Sequence, residues 1–373
     1  MRPPAVDWST LARPVCAYLY DTAALRARAA SVRAALPASS TLLYAAKANG
    51  HPEVLGALAA SCDGLEVASG GELRLATAAG ARRIVFGGPG KTDAELVAAL
   101  AAGALINAES VHELRRLAAL GDRPEVVVRV NRAGGGLRGS HTMTGTPTPF
   151  GVDEAQLAAA LTVPGVTVIG FHLHAVSNNL DGAAHAAFVA DALDWSARTA
   201  AAAGIALRVV NVGGGFGVDY RTDAAIDLAP LRSVPVPAGV ELIFEPGRYL
   251  AADAGWYAAE VLDLKTTHGR TFAVLRGGTH HFRLPAAWGY SHPFTVVPVD
   301  RWPHPWPRPA VRDTEVDAVG ELCTPRDVLT RGQYVTSLRA GDVLVFGRAG
   351  AYGWDISHHE FLRHDPPQFV ILP

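Results

Sequence analysis

The sequence is poor in cysteine. Its 373 residues include three, Cys16, Cys62 and Cys323. An odd number of widely spaced thiols argues against a disulfide framework and against a zinc site. We therefore expect no metal centre, and any cysteine that matters for function would act as a thiol.

The sequence also lacks a charge excess and long apolar runs. Lys and Arg total 33 against 35 for Asp and Glu, so the formal net charge is −2. This balance gives no reason to expect nucleic acid or an anionic membrane as a partner. No run of about 18 uncharged apolar residues occurs, and the first residues lack the apolar segment of a signal peptide. We expect a cytoplasmic protein that acts on a small molecule.

What the sequence does have is a series of short apolar runs separated by Ala- and Leu-rich stretches with helical periodicity. Near-continuous hydrophobicity is typical of strands buried on both faces of a parallel sheet. Eight strand–helix units in roughly 200 residues fit a (β/α)8 TIM barrel better than an open doubly wound sheet, which is the alternative. The runs are residues 42–49, 64–69, 83–88, 105–110, 125–131, 168–175, 207–215 and 241–247.

Polar side chains lie at the ends of these runs, where the active site of such a barrel is built. A lysine such as Lys47 after a single apolar run would usually begin a solvent-exposed turn. A ring of polar residues around it instead predicts a shared pocket. The ring comprises Lys47, Glu66 with Ser69, Arg129 with Asn131, His172 and His174, Gly213 to Gly215, and Glu245 with Arg248.

Three of these features suggest a cofactor. Gly213 to Gly215 follow the seventh run, where backbone N–H groups without side chains around them could bind a phosphate, although a tight turn is the alternative. Glu245 ends the eighth run, close to Arg248. A lysine, a phosphate-binding loop and a carboxylate at one barrel mouth suggest pyridoxal 5'-phosphate, whose aldehyde reacts with lysine and whose ring nitrogen needs a charged partner.

Seven motifs, in order, resemble those of the fold-type III pyridoxal-phosphate decarboxylases: YAAKANGHPEVL, EVASGGEL, FHLHAVS, VNVGGGFG, FEPGR, GELCTPRDVL and GAYG. This family includes the diaminopimelate, ornithine and arginine decarboxylases. The resemblance implies an alanine-racemase-like barrel over residues 30–250. It also implies a β domain formed by residues 1–29 and 251–373. The apolar runs after residue 250 read as strands separated by Pro- and Gly-rich turns.

The resemblance also implies roles for individual residues. Glu245 would pair with the pyridine nitrogen and keep it protonated, which favours decarboxylation over racemisation because a pyridinium is the better electron sink. Cys323 would reach the active site of the partner subunit and assist protonation of the product, which makes a homodimer necessary. For the cofactor, Lys47 would form the Schiff base and His174 would stack on the ring, while Ser177, Gly213 to Gly215 and Tyr352 would hold the phosphate, with Arg248 nearby.

The substrate is harder to predict. Glu321 stands where the family usually has proline, Thr324 follows the cysteine, and Val176 replaces an expected glycine. These departures look like the siderophore-biosynthesis branch, which decarboxylates a citryl-diamino acid conjugate. Clustered cations suit a substrate with several carboxylates, since arginine binds each in bidentate fashion. The predicted substrate ligands are Arg276, His280, His281, Arg283 and Thr324, together with Arg138 on a long segment, residues 132–151, that would cover the site and also carries His141.

Other functions stay open at this stage. One is decarboxylation of diaminopimelate, ornithine or lysine, and another is an amino-acid racemase or epimerase on the same fold. A third is a non-catalytic regulator, which should lack Cys323 or the β domain. The sequence has both of these features.

Overall fold

The structure is a computed structural model that describes residues 3–134, 137–222 and 224–373. Its strands, in chain order, are β1 (Cys16–Asp21), β2 (Ser40–Ala45), β3 (Gly64–Val67), β4 (Ile84–Phe86), β5 (Leu105–Ala108), β6 (Glu125–Asn131), β7 (His141–Thr142), β8 (Val152–Asp153), β9 (Thr167–His172), β10 (Val176–Ser177), β11 (Val209–Asn211), β12 (Glu241–Phe244), β13 (Gly255–Thr267), β14 (Arg270–Leu275), β15 (Phe294–Val297), β16 (Ala310–Val319), β17 (Val328–Arg339), β18 (Val343–Phe346) and β19 (Gln368–Leu372).

The helices are α1 (Thr22–Ala35), α2 (Pro52–Ser61), α3 (Gly70–Ala78), α4 (Asp93–Ala101), α5 (Val111–Leu120), α6 (Leu157–Leu161), α7 (Gly182–Ala203), α8 (Arg248–Ala251) and α9 (Leu284–Trp288). The chain forms two compact units. The barrel unit comprises residues 25–218 and 224–250. The β unit comprises residues 3–24, 219–222 and 251–373. Two residues of the predicted covering segment, 135 and 136, lie outside the described part of the chain.

The barrel unit contains a closed parallel sheet. Its strands pair in the order β2, β3, β4, β5, β6, β9, β11 and β12, and β12 pairs with β2. This closure confirms the predicted TIM barrel, and the open doubly wound sheet is wrong. Apolar side chains from most of the barrel strands pack together, which explains why the runs show no polar face. One such cluster comprises Leu43, Val85, Val127, Ile169, Val209 and Ile243.

Helices begin directly after several of these strands because the connecting residues supply helix caps. Ser69 accepts a hydrogen bond from the backbone N–H of Glu72 at the start of α3. Thr92 and Glu95 form a reciprocal capping box at the start of α4. Such caps satisfy N–H groups that the first helical turn leaves without partners. Ser69, expected in the polar ring of the pocket, therefore has a structural role as a cap.

The β unit is built on one mixed sheet. The strands run in the order β15, β18, β13, β14, β16 and β17, and β1 pairs with β13 and β19. Most pairs are antiparallel, and β1–β19 and β14–β16 are parallel. Buried aromatic rings, including Tyr18, Tyr257 and Phe346, pack within this unit. A β domain after residue 250 is confirmed, and β1 adds a strand from near the N-terminus to its sheet.

Within the described ranges, we find no helix that combines the length and the apolar character required to cross a membrane.

Candidate active site

Lys47 lies at the carboxyl end of β2, in a short 3-10 turn formed by Ala46–Ala48. Its ammonium Nζ is 3.3 Å from Oε2 of Glu66, which ends the neighbouring strand β3. The Glu66 side chain is almost fully buried, whereas half of the Lys47 side chain is exposed. Parallel pairing of β2 with β3 thus places the lysine beside a buried carboxylate and leaves its ammonium accessible.

Glu245 follows the end of β12 and is buried. Its Oε1 accepts a hydrogen bond of 2.5 Å from the side-chain amide of Asn211 at the end of β11. Its Oε2 lies 3.7 Å from Nε2 of His172 at the end of β9. Burial, and next the negative charge of Glu66, raise the pKa of Glu245 to about 8. The group therefore holds a proton near neutral pH in the absence of any ligand.

His172 and His174 are electrically neutral. Burial, followed by the positive charge of Arg129, lowers the pKa of both His172 and His174 well below the usual value. His174 Nδ1 accepts a hydrogen bond of 3.3 Å from the backbone N–H of Gly214. Neither ring nitrogen of His172 has a hydrogen-bond partner among the described residues. An unpartnered buried imidazole beside Glu245 marks a place where a polar group is expected.

Gly213 to Gly215 form a turn after β11 that packs tightly against its neighbours. Gly213 and Gly215 have φ of 68° and 98°, in the left-handed region. A Cβ at these two positions would lie 2.2 Å from His174 Nδ1 and 2.7 Å from the Val176 carbonyl oxygen, respectively. A side chain would therefore displace His174 or the segment that carries Ser177, so the sequence requires glycine here.

Ser177 is held by the segment that follows β6. Strand β10 pairs with β7, and the Ser177 carbonyl accepts a hydrogen bond of 2.7 Å from the N–H of Ser140. The Asn179 side-chain amide donates a hydrogen bond of 2.7 Å to the carbonyl of Arg138. The backbone N–H of Asn179 donates one of 2.8 Å to the carbonyl of Gly215. Arg138 itself is exposed. Asn179 thus connects the segment that carries Arg138 to the glycine turn.

These residues fit pyridoxal phosphate. The glycine turn exposes backbone without side chains at the end of β11, so a phosphate could approach this backbone closely. The buried, proton-bearing Glu245 and the unpartnered His172 suit the polar atoms of a pyridine ring, and Lys47 is exposed enough to react with an aldehyde. Arg248 begins α8 three residues after Glu245 and is buried. The barrel unit therefore brings together Lys47, His174, Ser177, Gly213 to Gly215, Glu245 and Arg248.

The remaining predicted residues belong to the β unit. Cys323 is exposed, whereas Cys16 and Cys62 are buried. Burial raises the pKa of Cys16 to about 11 and that of Cys62 to about 12, so both stay protonated thiols. Tyr352 is half-buried and has a left-handed backbone with φ of 54°.

The loop that carries Cys323 is fixed by the buried carboxylate of Asp327. Oδ1 of Asp327 accepts from the N–H of Thr279 at 2.6 Å, and Oδ2 accepts from the N–H of Leu322 at 2.8 Å. One side chain thereby joins the loop before α9, which carries Arg283, to the loop that carries Cys323. Sequence reasoning did not identify this residue.

His280 and His281 are fully buried in the β unit. Burial is the main cause that lowers the pKa of His280 to about 4 and that of His281 to about 2, so both rings are neutral. Nδ1 of His281 lies 3.3 Å from Sγ of Cys16, and the Arg276 guanidinium forms an ion pair with Glu321. The structure therefore separates these three residues from the exposed Arg283, and their assignment as substrate ligands stays a prediction.

A cavity of about 650 Å³ opens on the β unit. Its walls include the guanidinium-bearing residues Arg283, Arg326 and Arg331, and also Thr324 and His358. In the described part of the chain, none of the three arginine side chains forms an ion pair, and no lining residue is acidic. Unpaired cations around a cavity of this size suit a ligand with more than one negative charge.

Several residues at these sites escaped sequence reasoning. Asn211 holds Glu245, and the signal for it was a polar residue inside the seventh apolar run, two residues before the glycines. Asn179 follows the quoted motif FHLHAVS by two residues, and its bridging role depends on a contact 41 residues away in the chain. Arg326 and Arg331 follow Cys323 closely, but only the fold brings them to the same cavity as Arg283.

Comparison with known proteins gives the family. A model of the pyridoxal binding domain of pyridoxal-dependent decarboxylases matches residues 22–252. The 2-[(L-alanin-3-ylcarbamoyl)methyl]-2-hydroxybutanedioate decarboxylase of Staphylococcus aureus is 39% identical, over 96% of this chain and 94% of the relative. The diaminopimelate decarboxylase of Deinococcus radiodurans is 34% identical, over 95% and 89%.

Solved structures agree with this result. The diaminopimelate decarboxylase from Helicobacter pylori, complexed with L-lysine, superposes with a TM-score of 0.84 at 26% identity and covers 97% of this chain and 92% of its own. The chain belongs to the pyridoxal-dependent decarboxylases. It is thus a pyridoxal-phosphate enzyme that decarboxylates an amino acid or an amino-acid conjugate, as the sequence predicted.

Proposed function

We propose that this enzyme decarboxylates an α-amino acid that carries a polycarboxylate appendage, in the manner of a citryl-diamino acid conjugate made during siderophore biosynthesis. The observation that carries the proposal is the cavity of the β unit with its three unpaired arginines. A single α-carboxylate needs one bidentate guanidinium partner, so three such groups exceed what a simple basic amino acid can use.

The relative from Staphylococcus aureus supports this substrate class. The name of its substrate describes a hydroxybutanedioate joined through an amide to the side chain of an amino acid. Such a molecule has two carboxylates on the appendage in addition to the α-carboxylate. Diaminopimelate, by contrast, pairs its second carboxylate with a second ammonium, so its far end has no net negative charge and suits a cavity lined by Arg283, Arg326 and Arg331 less well.

The cofactor would be held in the barrel unit by residues at the carboxyl ends of its strands. Bound pyridoxal phosphate supplies an electron sink, which accepts the electron pair left on Cα of the substrate when carbon dioxide departs. We assign Lys47 to the covalent attachment and His174 to the ring face, because Lys47 is exposed and the His174 ring is neutral. The phosphate would bind at the turn of Gly213 to Gly215, with Ser177 and Arg248 nearby. A contact of the phosphate with Tyr352 stays a prediction.

Glu245 would supply the proton that makes the sink effective. Its pKa of about 8 keeps a proton on the carboxyl group before the cofactor binds. Asn211 occupies Oε1, so the proton belongs on Oε2, which faces the neutral His172. Glu245 would give this proton to the ring nitrogen of the bound cofactor and remain as a buried carboxylate, which favours decarboxylation over racemisation.

Cys323 would act from the partner subunit of a homodimer. Its exposure, unlike the burial of Cys16 and Cys62, leaves the thiol available to a second chain. Thr324, the next residue, lines the arginine cavity, so the appendage would bind beside the thiol. Arg138 would contact the substrate from the segment tied to Ser177. The cytoplasmic location stays a prediction.

The test is a direct comparison of substrates. Carbon dioxide release and optical rotation are measured for the citryl conjugate of 2,3-diaminopropionate and, in parallel, for diaminopimelate, ornithine and lysine. We expect kcat/KM to be at least about a hundredfold higher for the conjugate, the discrimination that about two well-made ionic hydrogen bonds provide. Equal or better turnover of a free basic amino acid would contradict the proposed substrate, and loss of optical rotation without release of carbon dioxide would indicate a racemase.

A further inference from the structure

Glu321 occupies the centre of a polar cluster in the β unit. Its Oε1 accepts a hydrogen bond of 2.8 Å from the N–H of Gly277 and forms the ion pair with Nη1 of Arg276. Its own N–H donates to the Gly277 carbonyl at 2.9 Å. Nε2 of His280 and Nδ1 of His364 each lie 3.7 Å from the same oxygen. One carboxylate thus connects to four residues.

The cluster is closed rather than open to a ligand. The side chains of Arg276 and Glu321 are 16% and 13% exposed. An ion pair this sheltered loses several kcal/mol when one partner is removed, because the other charge stays buried without compensation. The charge of Arg276 is therefore paired with that of Glu321. Arg283, Arg326 and Arg331 have no acidic partner among the described residues.

The contacts of Glu321 also determine the path of the chain toward Cys323. Glu321 lies two residues before the thiol, and its backbone and side chain both bind Gly277. Asp327 fixes the same loop from its other end, through Leu322 and Thr279. Cys323 is therefore presented by a loop that is anchored on both sides to one neighbouring segment, residues 276–279.

We propose that Glu321 is a positioning residue for Cys323, that it acts through Arg276 and Gly277, and that Arg276 does not bind the substrate. The proposal rests on the function proposed above for Cys323. It assigns a role to the carboxylate that stands where the sequence led us to expect proline. It also places recognition of the polycarboxylate appendage on Arg283, Arg326 and Arg331 rather than on Arg276.

Kinetics of the holoenzyme distinguish this role from substrate binding. Glu321→Gln keeps the side-chain shape and loses the charge. Arg276→Gln removes the charge of the partner and shortens its side chain. We expect each variant to lower kcat by at least about tenfold with little change in KM, because a displaced reacting group costs turnover. We expect the double variant to lose no more than either single variant, since the two act as one unit. Glu315→Gln, an exposed carboxylate on β16, is the matched control.

A substrate ligand would give the opposite pattern. If Arg276→Gln raises KM strongly while Glu321→Gln leaves kcat unchanged, Arg276 binds the substrate and the proposal is wrong. A second readout does not depend on turnover. The rate at which iodoacetamide alkylates Cys323 should change at least about threefold in both single variants and stay at the wild-type value in Glu315→Gln. The buried Cys16 and Cys62 contribute little to this rate.

The two readouts separate failure of this inference from failure of the proposed function. Unchanged alkylation and unchanged kcat in Glu321→Gln would overturn the positioning role. A changed alkylation rate without any effect on turnover would show that Glu321 positions the Cys323 thiol, as inferred. It would also show that Cys323 takes no part in the reaction. Thermal unfolding of each variant is recorded to recognise a partly unfolded protein. If Glu321→Gln is partly unfolded, Glu321→Asp is used in its place. This variant keeps the charge and should retain the wild-type rate of alkylation.

Discussion

The ammonium of Lys47 and the carboxylate of Glu66 form an ion pair of 3.3 Å across neighbouring barrel strands. Glu66 is buried, and its negative charge also contributes to the raised pKa of Glu245. One carboxylate therefore acts on both groups that we assign to the ends of the cofactor. It draws the lysine toward the pocket, and it keeps a proton on the acid that would face the ring nitrogen.

The attachment of the cofactor is tested by chemical reduction. The chain has three lysines, Lys47, Lys91 and Lys265. Lys91 is 1% exposed and paired with Glu113 at 2.6 Å, and Lys265 lies on β13 of the β unit. Borohydride treatment of the yellow holoenzyme followed by peptide mapping should place the cofactor on Lys47, and Lys47→Ala should bind it without reducible linkage. Label on Lys91 or Lys265 in the wild-type protein would refute the assignment.

Replacement of Glu245 separates cofactor binding from turnover. Glu245→Gln keeps the shape of the side chain but cannot leave a carboxylate beside the ring nitrogen. We expect most of the bound cofactor to remain, because the glycine turn and Ser177 are untouched. Turnover should fall by about a hundredfold or more, the scale of about 3 kcal/mol seen when one preorganised group is lost. Near-wild-type decarboxylation, with cofactor content confirmed by absorbance, would contradict the role of Glu245.

The pKa of Glu245 also predicts how stability depends on pH. Burial raises the pKa from 4.5 to about 8 in the folded protein without cofactor. Between these values the folded state holds a proton that the unfolded state releases, so the free energy of unfolding falls as the pH rises. Glu245→Gln has no such proton. Its free energy of unfolding relative to wild type should therefore increase from about pH 5 to about pH 8, by at most about 1.4 kcal/mol per pH unit, and its Tm relative to wild type should rise over the same range.

Thermal unfolding of the cofactor-free proteins checks this dependence. Glu315→Gln serves as the control, because an exposed carboxylate should give a Tm difference that is flat over the same range. Glu66→Gln should lower the pKa of Glu245 and shift the dependence toward lower pH. If the curves of Glu245→Gln and wild type run parallel, Glu245 is ionised in the folded state and its proposed proton role fails.

Much of the barrel site could be predicted because strand ends in a closed parallel barrel converge whatever their separation in sequence. Lys47 and Glu245 are nearly 200 residues apart, yet β2 and β12 are hydrogen-bonded neighbours. Once eight apolar runs were counted, the residues that follow them had to meet at one end. Asn211 could have been found by the same rule, since it ends β11.

The β unit was less predictable, because no such rule governs its loops. Arg276, His280, His281 and Arg283 are close in sequence, and this proximity suggested one cationic site. In the structure, two of them are buried neutral rings and one is paired with Glu321, so their charges are not available together. Which cations of a short segment remain unpaired depends on its partners in space, and sequence spacing does not contain this information.

The arginine cavity predicts a specific kinetic defect. Arg283→Ala should raise KM for the citryl conjugate by at least about tenfold while changing kcat less, the pattern of lost uniform binding. Arg326→Ala and Arg331→Ala should act in the same direction if the appendage carries two carboxylates. Arg312→Ala, an exposed arginine on β16 outside the cavity, is the matched control. Unchanged KM in all three cavity variants would place the appendage elsewhere.

Shared active sites predict complementation between inactive subunits. Lys47→Ala removes the cofactor lysine, and Cys323→Ala removes the thiol that we assign to the partner's site. In a mixed dimer of these two variants, one site lacks both groups and the other has both. Random exchange gives mixed dimers for half of the population, each with one intact site, so activity should approach about a quarter of the wild-type value. The assay follows carbon dioxide release over time after mixing.

The outcome depends on whether the subunits exchange, so exchange is measured independently with one variant carrying an affinity tag and the other none. Co-purification of the untagged variant proves that mixed dimers exist. A control mixture of Lys47→Ala with Lys47→Arg should stay inactive, because every site then lacks the lysine. No activity in the Lys47→Ala and Cys323→Ala mixture, despite proven exchange, would mean that each site takes both residues from one chain, since only sites completed by a partner can be restored by mixing.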